Sequence, residues 1–164
     1  NINIGVIKLS KKIKWKALIV SILIPIGLGI ISGISGEASE VFKQLAKPSF
    51  SPPAIVFPIV WTILYILMGI SAYLIYMSRD KRKSKSALRI YLIQLLLNGF
   101  WTTLFFRFRL FLFSFLWLLI IIAFVLAMII KFYRINKWAA YIQIPYLLWL
   151  IFASFLNYEM YLIN

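Results

Sequence analysis

The chain has 164 residues, 63% hydrophobic and 13% charged, and its 18 Lys and Arg against 4 Asp and Glu give a net charge of +14. A soluble domain carries about a quarter charged residues and, at this size, leaves much of its surface in water, so the composition points to one all-α integral membrane domain. The absence of Cys and His excludes disulfides, thiol chemistry, iron–sulfur clusters and the usual zinc sites and removes the two commonest haem axial ligands; no metal site is expected.

A helix needs about 20 mostly apolar residues to cross the hydrocarbon of a bilayer. Five stretches qualify, at residues 15–36, 54–77, 87–106, 110–130 and 138–163, and they predict a bundle of five transmembrane helices in a single domain. The first follows a basic segment with Lys8, Lys11, Lys12, Lys14 and Lys16. Read with the small residues Ser35, Gly36, Ala38 and Ser39, this stretch also fits a signal peptide. The apolar run is longer than a usual signal core, however, and Pro25, Gly29 and Gly33 suit a packed helix better, the two glycines letting another helix approach closely. Before the second helix, the run Lys47-Pro48-Ser49-Phe50-Ser51-Pro52-Pro53 predicts a stiff, extended approach and a helix start, placed where it can cover the bundle mouth. The fifth stretch is long enough to tilt, or to bend at Pro145.

The charges lie between the apolar runs. The N-terminus, the second loop (Arg79, Lys81, Arg82, Lys83, Lys85, Arg89) and the fourth loop (Lys131, Arg134, Lys137) hold 14 basic residues, and the alternate segments hold 4. This asymmetry predicts a cytoplasmic N-terminus and an outer C-terminus, and it requires an odd number of spans. Charges so placed read as topology signals and contacts to anionic lipid headgroups, and no nucleic-acid partner is expected. No Gly-rich phosphate loop, nucleophile elbow or metal-binding helix is present.

The informative residues are polar or aromatic ones at membrane depth. Gln94, Asn98, Trp101 and Phe105 share one face of the third helix. Amides there must find partners, so this face is expected to point inward, toward other helices, a ligand or both. Phe57, Trp61, Tyr65, Met68 and Ala72 form a comparable stripe on the second helix, as do Tyr146, Trp149, Ala153 and Asn157, with Leu156 beside them, on the fifth. Trp61 and Trp149 lie more than a turn inside their helices, where an indole N–H needs an acceptor. Three such faces describe an apolar pocket with sparse orienting groups, suited to a large, flat ligand.

The second-helix region from Lys47 to Pro53, then Phe57-Pro58-Ile59-Val60-Trp61-Thr62-Ile63-Leu64-Tyr65 and Met68-Gly69, resembles the signature of the tryptophan-rich sensory protein / translocator protein family. Gln94-Leu95-Leu96-Leu97-Asn98 with Trp101 and Phe105-Phe106 is similar to that family's third helix, and Pro145-Tyr146-Leu147-Leu148-Trp149 with Phe152-Ala153 and Leu156-Asn157 to its fifth. The resemblance implies a five-helix membrane protein, often a homodimer, that binds protoporphyrin IX-like porphyrins and, in some members, cholesterol or benzodiazepine-site drugs, near the first loop. It places Phe57, Trp61, Gln94, Asn98, Trp101, Phe113, Trp149, Ala153 and Leu156 at family pocket positions. No cofactor is obligatory; porphyrin is the expected ligand, and a bacterial cell membrane the expected setting.

Two positions depart from the family pattern. Phe50 stands where Trp is usual, and Phe113 where some animal members have Trp. The partial cholesterol pattern at Leu156 and Tyr158 lacks its basic residue, so cholesterol recognition is not predicted. The leading expectation is a binding or sensing protein. The alternatives are a transporter of tetrapyrroles or lipids, and an enzyme of light-dependent porphyrin breakdown with Trp61 and Trp149 as its candidate residues.

Overall fold

The computed structural model of the chain describes residues 13–35 and 37–164. Lys8, Lys11 and Lys12 of the basic N-terminus, and Gly36, lie outside them. The elements are α1 (Trp15–Ser35), α2 (Ala38–Gln44), α3 (Val56–Tyr76), α4 (Lys81–Thr102) continued by a π-helical turn (Thr103–Arg107), α5 (Phe111–Tyr133), α6 (Lys137–Tyr141) and α7 (Ile144–Ile163). Among the described residues, five helices are long and apolar enough to cross a membrane: α1, α3, α4 with its π turn, α5, and α6 with α7. In hydrocarbon every backbone polar group must be satisfied internally, which explains why these apolar runs are helical.

The third span begins earlier than the expected residue 87. The Asp80 side chain accepts from the Lys83 amide at 3.0 Å, capping the helix and drawing the basic run onto its first turns instead of leaving it in a loop. That hydrogen bond, reinforced by the Lys83 ammonium, holds the Asp80 carboxyl below the usual carboxylate range. The last span breaks at Ile142–Gln143, just before Pro145 and not at it. Pro145 sits in the first turn of α7, where its missing N–H costs no intrahelical bond.

Alternating direction makes α1, α4 and α7 parallel to one another and antiparallel to α3 and α5. Close backbone packing joins α1 to α3, α4 to α5, and α5 to α7. At the tightest crossing, a side chain at Gly69 of α3 would fall on the Ile22 backbone and the Ser21 carbonyl of α1. Pro25 has no N–H to offer that carbonyl, so the oxygen is free to face α3. Gly29 likewise leaves room for the Tyr65 ring, whereas no described residue lies within 4 Å of where a Cβ on Gly33 would stand; of the two glycines expected to admit a neighbour, Gly29 is the one that does so among the described residues.

The half of the bundle bearing the basic loops is filled. Leu118, Ile121, Val125, Met128 and Phe132 form the inner stripe of α5 and pack against Met68 and Ile75 of α3 and Ala87, Tyr91 and Leu95 of α4. The Ser71 hydroxyl donates to the Ala139 carbonyl at 2.7 Å, joining α3 to α6. In contrast, α7 packs its backbone closely on α5 but not on α1, α3 or α4. Space is therefore available between α7 and those three helices wherever side chains do not fill it.

Gly69→Val should drive α1 and α3 apart and destabilise the protein by about 1–3 kcal/mol. Thermal unfolding in detergent measures this, and an unchanged transition would contradict the close crossing.

Candidate functional site

That space opens at the end of the bundle near the first loop, as a cavity of about 390 Å³. Each of the four helices around it contributes a face that the 3.6-residue period aligns. Phe57, Trp61 and Tyr65 come from α3, and Asn98 and Trp101 from α4. Trp149, Ala153, Leu156 and Asn157 come from α7, and Gly29 and Gly33 of α1 close the remaining side. The π turn widens the end of α4, with the Phe108 amide reaching back to the Thr103 carbonyl, and it turns Phe105 and Phe106 toward the cavity. Such turns recur at functional sites because they re-aim side chains without ending the helix.

The walls are largely aromatic. Trp61 stacks on Tyr65 with ring centroids 5.4 Å apart, and Trp101 stacks on Phe105 at 5.2 Å. Phe57 meets Trp149 edge-on at 5.9 Å. Offset and edge-on pairs of this kind are favoured by the ring quadrupoles and hold the rings as flat panels.

The floor is polar. Asn98 Nδ2 donates to the Tyr146 hydroxyl at 2.7 Å, and that hydroxyl donates to Gln94 Oε1 at 2.8 Å. Tyr146 is only 1% exposed and Gln94 is fully buried, so both support the floor from below while Asn98 faces the cavity. On the far wall, Trp101 Nε1 donates to Asn157 Oδ1 at 3.2 Å, and Asn157 Nδ2 to the Phe111 carbonyl at 2.8 Å. Trp149 differs: its indole N–H is buried with no hydrogen-bond partner among the described residues.

The roof is a segment that the spans alone do not reveal. Helix α2 packs Val41, Phe42 and Leu45 onto Phe105, Leu156 and Met160, and Phe42 stands 4.9 Å from Phe57. The loop is tied at both sides. Asn164 exchanges two hydrogen bonds with the Ala46 backbone, each 3.0 Å, and Arg109 donates to Gln44 at 3.1 Å. Glu37 and Arg109 both take left-handed backbone conformations where the chain turns at the mouth. The Pro-rich run contributes Ala54 at its end, but the covering element is α2. Its signal was present as apolar residues at 38, 41, 42 and 45 among the charges of the first loop.

Ten of the residues singled out from sequence line the cavity: Phe57, Trp61, Tyr65, Asn98, Trp101, Phe105, Trp149, Ala153, Leu156 and Asn157. Gln94 and Tyr146 lie beneath it. Phe113 is not brought to it. Its position faces outward from α5, 49% exposed, with its ring 6.0 Å from Trp117; the inward positions of that helix are Ser114 and Leu118. Phe50, likewise exposed, does not line the cavity.

The sequence matches the model of the TspO/MBR family over residues 21–162. It is 31% identical to the tryptophan-rich protein TspO of Chlorobaculum tepidum, over 95% of this chain and 99% of that protein. It is 32% identical to the tryptophan-rich sensory protein of Cereibacter sphaeroides, over 90% and 92% of the two chains. It is 34% identical to the human translocator protein, over 76% and 75%. A match across nearly the whole chain, on a five-span bundle with Trp61, Trp101 and Trp149 lining one cavity, means that this integral membrane protein belongs to the TspO/MBR family.

Proposed function

We propose that the chain binds large, flat, mostly apolar ligands in the cavity beneath α2, porphyrins of the protoporphyrin IX type foremost, and acts as a membrane sensor or binding protein. The observation that carries this reading is an aromatic-walled cavity whose lining holds only a few polar side chains, Asn98 and Asn157 among them. A ligand offering flat faces and a few acceptors meets both features at once. Trp61 and Phe57 supply stacking surface, and Asn98 orients polar atoms at the floor. The names of the relatives, a sensory protein and a translocator among them, agree with a role in sensing or movement of a ligand. The filled lower half of the bundle favours binding over passage to the other side.

The charge asymmetry of the loops turns the mouth to the outer side of a bacterial cell membrane. Lys47, Arg107 and Arg109 lie at that mouth, with Lys47 Nζ 4.9 Å above the Phe42 ring and Arg107 reaching the Ser35 carbonyl at 3.5 Å. They can meet the carboxylates of a porphyrin while its ring enters the apolar space.

Titration of the detergent-purified protein with protoporphyrin IX in the dark, read by tryptophan quenching, tests the binding. Saturable binding is expected, and Trp149→Ala and Asn98→Leu should each weaken it by about tenfold, a loss of about 1.4 kcal/mol. No saturable binding by the unaltered protein removes porphyrin from the account. Illumination of the complex separates sensing from breakdown: light-dependent product abolished by Trp61→Phe or Trp149→Phe would make the protein an enzyme.

The mouth cations give a second test. The Lys47→Gln, Arg109→Gln double variant should bind the dicarboxylate several-fold more weakly, since exposed ion pairs contribute about 0.2–1 kcal/mol each. It should bind the dimethyl ester as the unaltered protein does. Equal losses for both ligands would contradict the role given to the carboxylates.

A further inference from the structure

A second hollow lies on the outside of the bundle, between α3 and α7. It is a groove of about 410 Å³ lined by Val60, Ile63 and Leu67 on one side and Pro145, Leu148 and Phe152 on the other, with Leu64 and Trp149 at its base. Apart from the buried Trp149 indole N–H, its lining side chains carry no hydrogen-bonding group. Ile63 and Leu148 face outward, 52% and 61% exposed. At the depth of these spans, the medium that meets such a surface is lipid hydrocarbon.

Trp149 lines both this groove and the inner cavity. One indole therefore stands between the bilayer and the proposed binding space. Three features make that point the weak place in the wall. The backbones of α3 and α7 do not pack closely there. The Ser71–Ala139 hydrogen bond joins α3 to α6 below it, and the Phe42–Phe57 contact closes the end above it. Trp101 and Trp117 are each tied by an indole hydrogen bond, whereas that of Trp149 has no partner among the described residues, so its ring is held by packing alone and can swing without breaking a bond.

We propose that the groove between α3 and α7 is a lateral portal. Apolar ligand dissolved in the bilayer enters the cavity sideways past Trp149, while α2 stays in place over the mouth. This rests on the binding reading above and adds the route. Ligands of this class partition into hydrocarbon, so the membrane is the phase from which they are delivered.

The test is kinetic and uses the full chain in lipid nanodiscs, with protoporphyrin IX absorbance as readout. Ile63→Trp and, separately, Leu148→Trp fill the groove and replace no residue of the cavity lining. Each should slow association and dissociation together by roughly tenfold and leave Kd within about twofold, because only the path has changed. A preserved Kd also shows that the variant is folded. As the counterpart, Ala46→Cys with Asn164→Cys staples the loop to the C-terminal end of α7 in a chain with no other cysteine; oxidation should leave the rates unchanged. Rates unaffected by both groove variants, or slowed by the staple alone, would overturn the portal while leaving the cavity in place. Loss of saturable binding in the unaltered protein would overturn both.

Discussion

The arrangement depends on one short chain of hydrogen bonds, Asn98 to Tyr146 to Gln94. It links α4 and α7, two parallel helices whose backbones do not pack closely on each other. Three polar side chains at membrane depth would each be costly alone. Joined, they pair Asn98 Nδ2, the Tyr146 hydroxyl and Gln94 Oε1, although Gln94 Nε2 has no partner among the described residues, and they set the separation of the two helices. Below this level Met68, Ile75, Val125, Met128 and Phe132 fill the interior completely. Above it Trp101 of α4 donates to Asn157 of α7 along the far wall, and the aromatic cavity opens beside that bond.

The cavity's character follows from what surrounds the bridge. Aromatic rings on α3, α4 and α7 pair with one another along the walls instead of closing across the centre. The π turn supplies Phe105 to the same surface that receives Phe42 from α2. The apolar roof, polar floor and cationic rim form a sequence of environments matched to a ligand with a flat apolar body and acidic edges. Among the described residues, most of the basic ones lie at the opposite end of the bundle. There they stay clear of the site.

The spans and the inward faces were legible in the sequence because both follow simple periodicities. Length and hydropathy mark a span, and amides or indoles that cannot face lipid mark the interior. Asn98, Trp101 and Asn157 were identifiable for that reason, and the structure puts them on the cavity wall. Where several signals compete, the local reading was incomplete. The charges at 81–89 suggested a loop, but the Asp80 cap made them the first turns of α4. Helix α2 is too short to register as a span and is held by tertiary contacts with Phe105, Leu156 and Asn164. Phe113 matched a pocket position by resemblance alone; on α5 its side chain falls outside the inner stripe. The portal was not legible at all, since it arises from the spacing of two helices far apart in sequence.

Tyr146→Phe tests the central claim most directly. It removes the hydroxyl that both accepts from Asn98 and donates to Gln94, and it leaves the ring and its packing. If the bridge sets the gap between α4 and α7, thermal unfolding in detergent should show a loss of about 1–2 kcal/mol, in the upper range for hydrogen bonds between membrane helices, and protoporphyrin IX should bind less tightly. Unchanged stability together with unchanged affinity would show that helix packing alone maintains the cavity, contrary to this account.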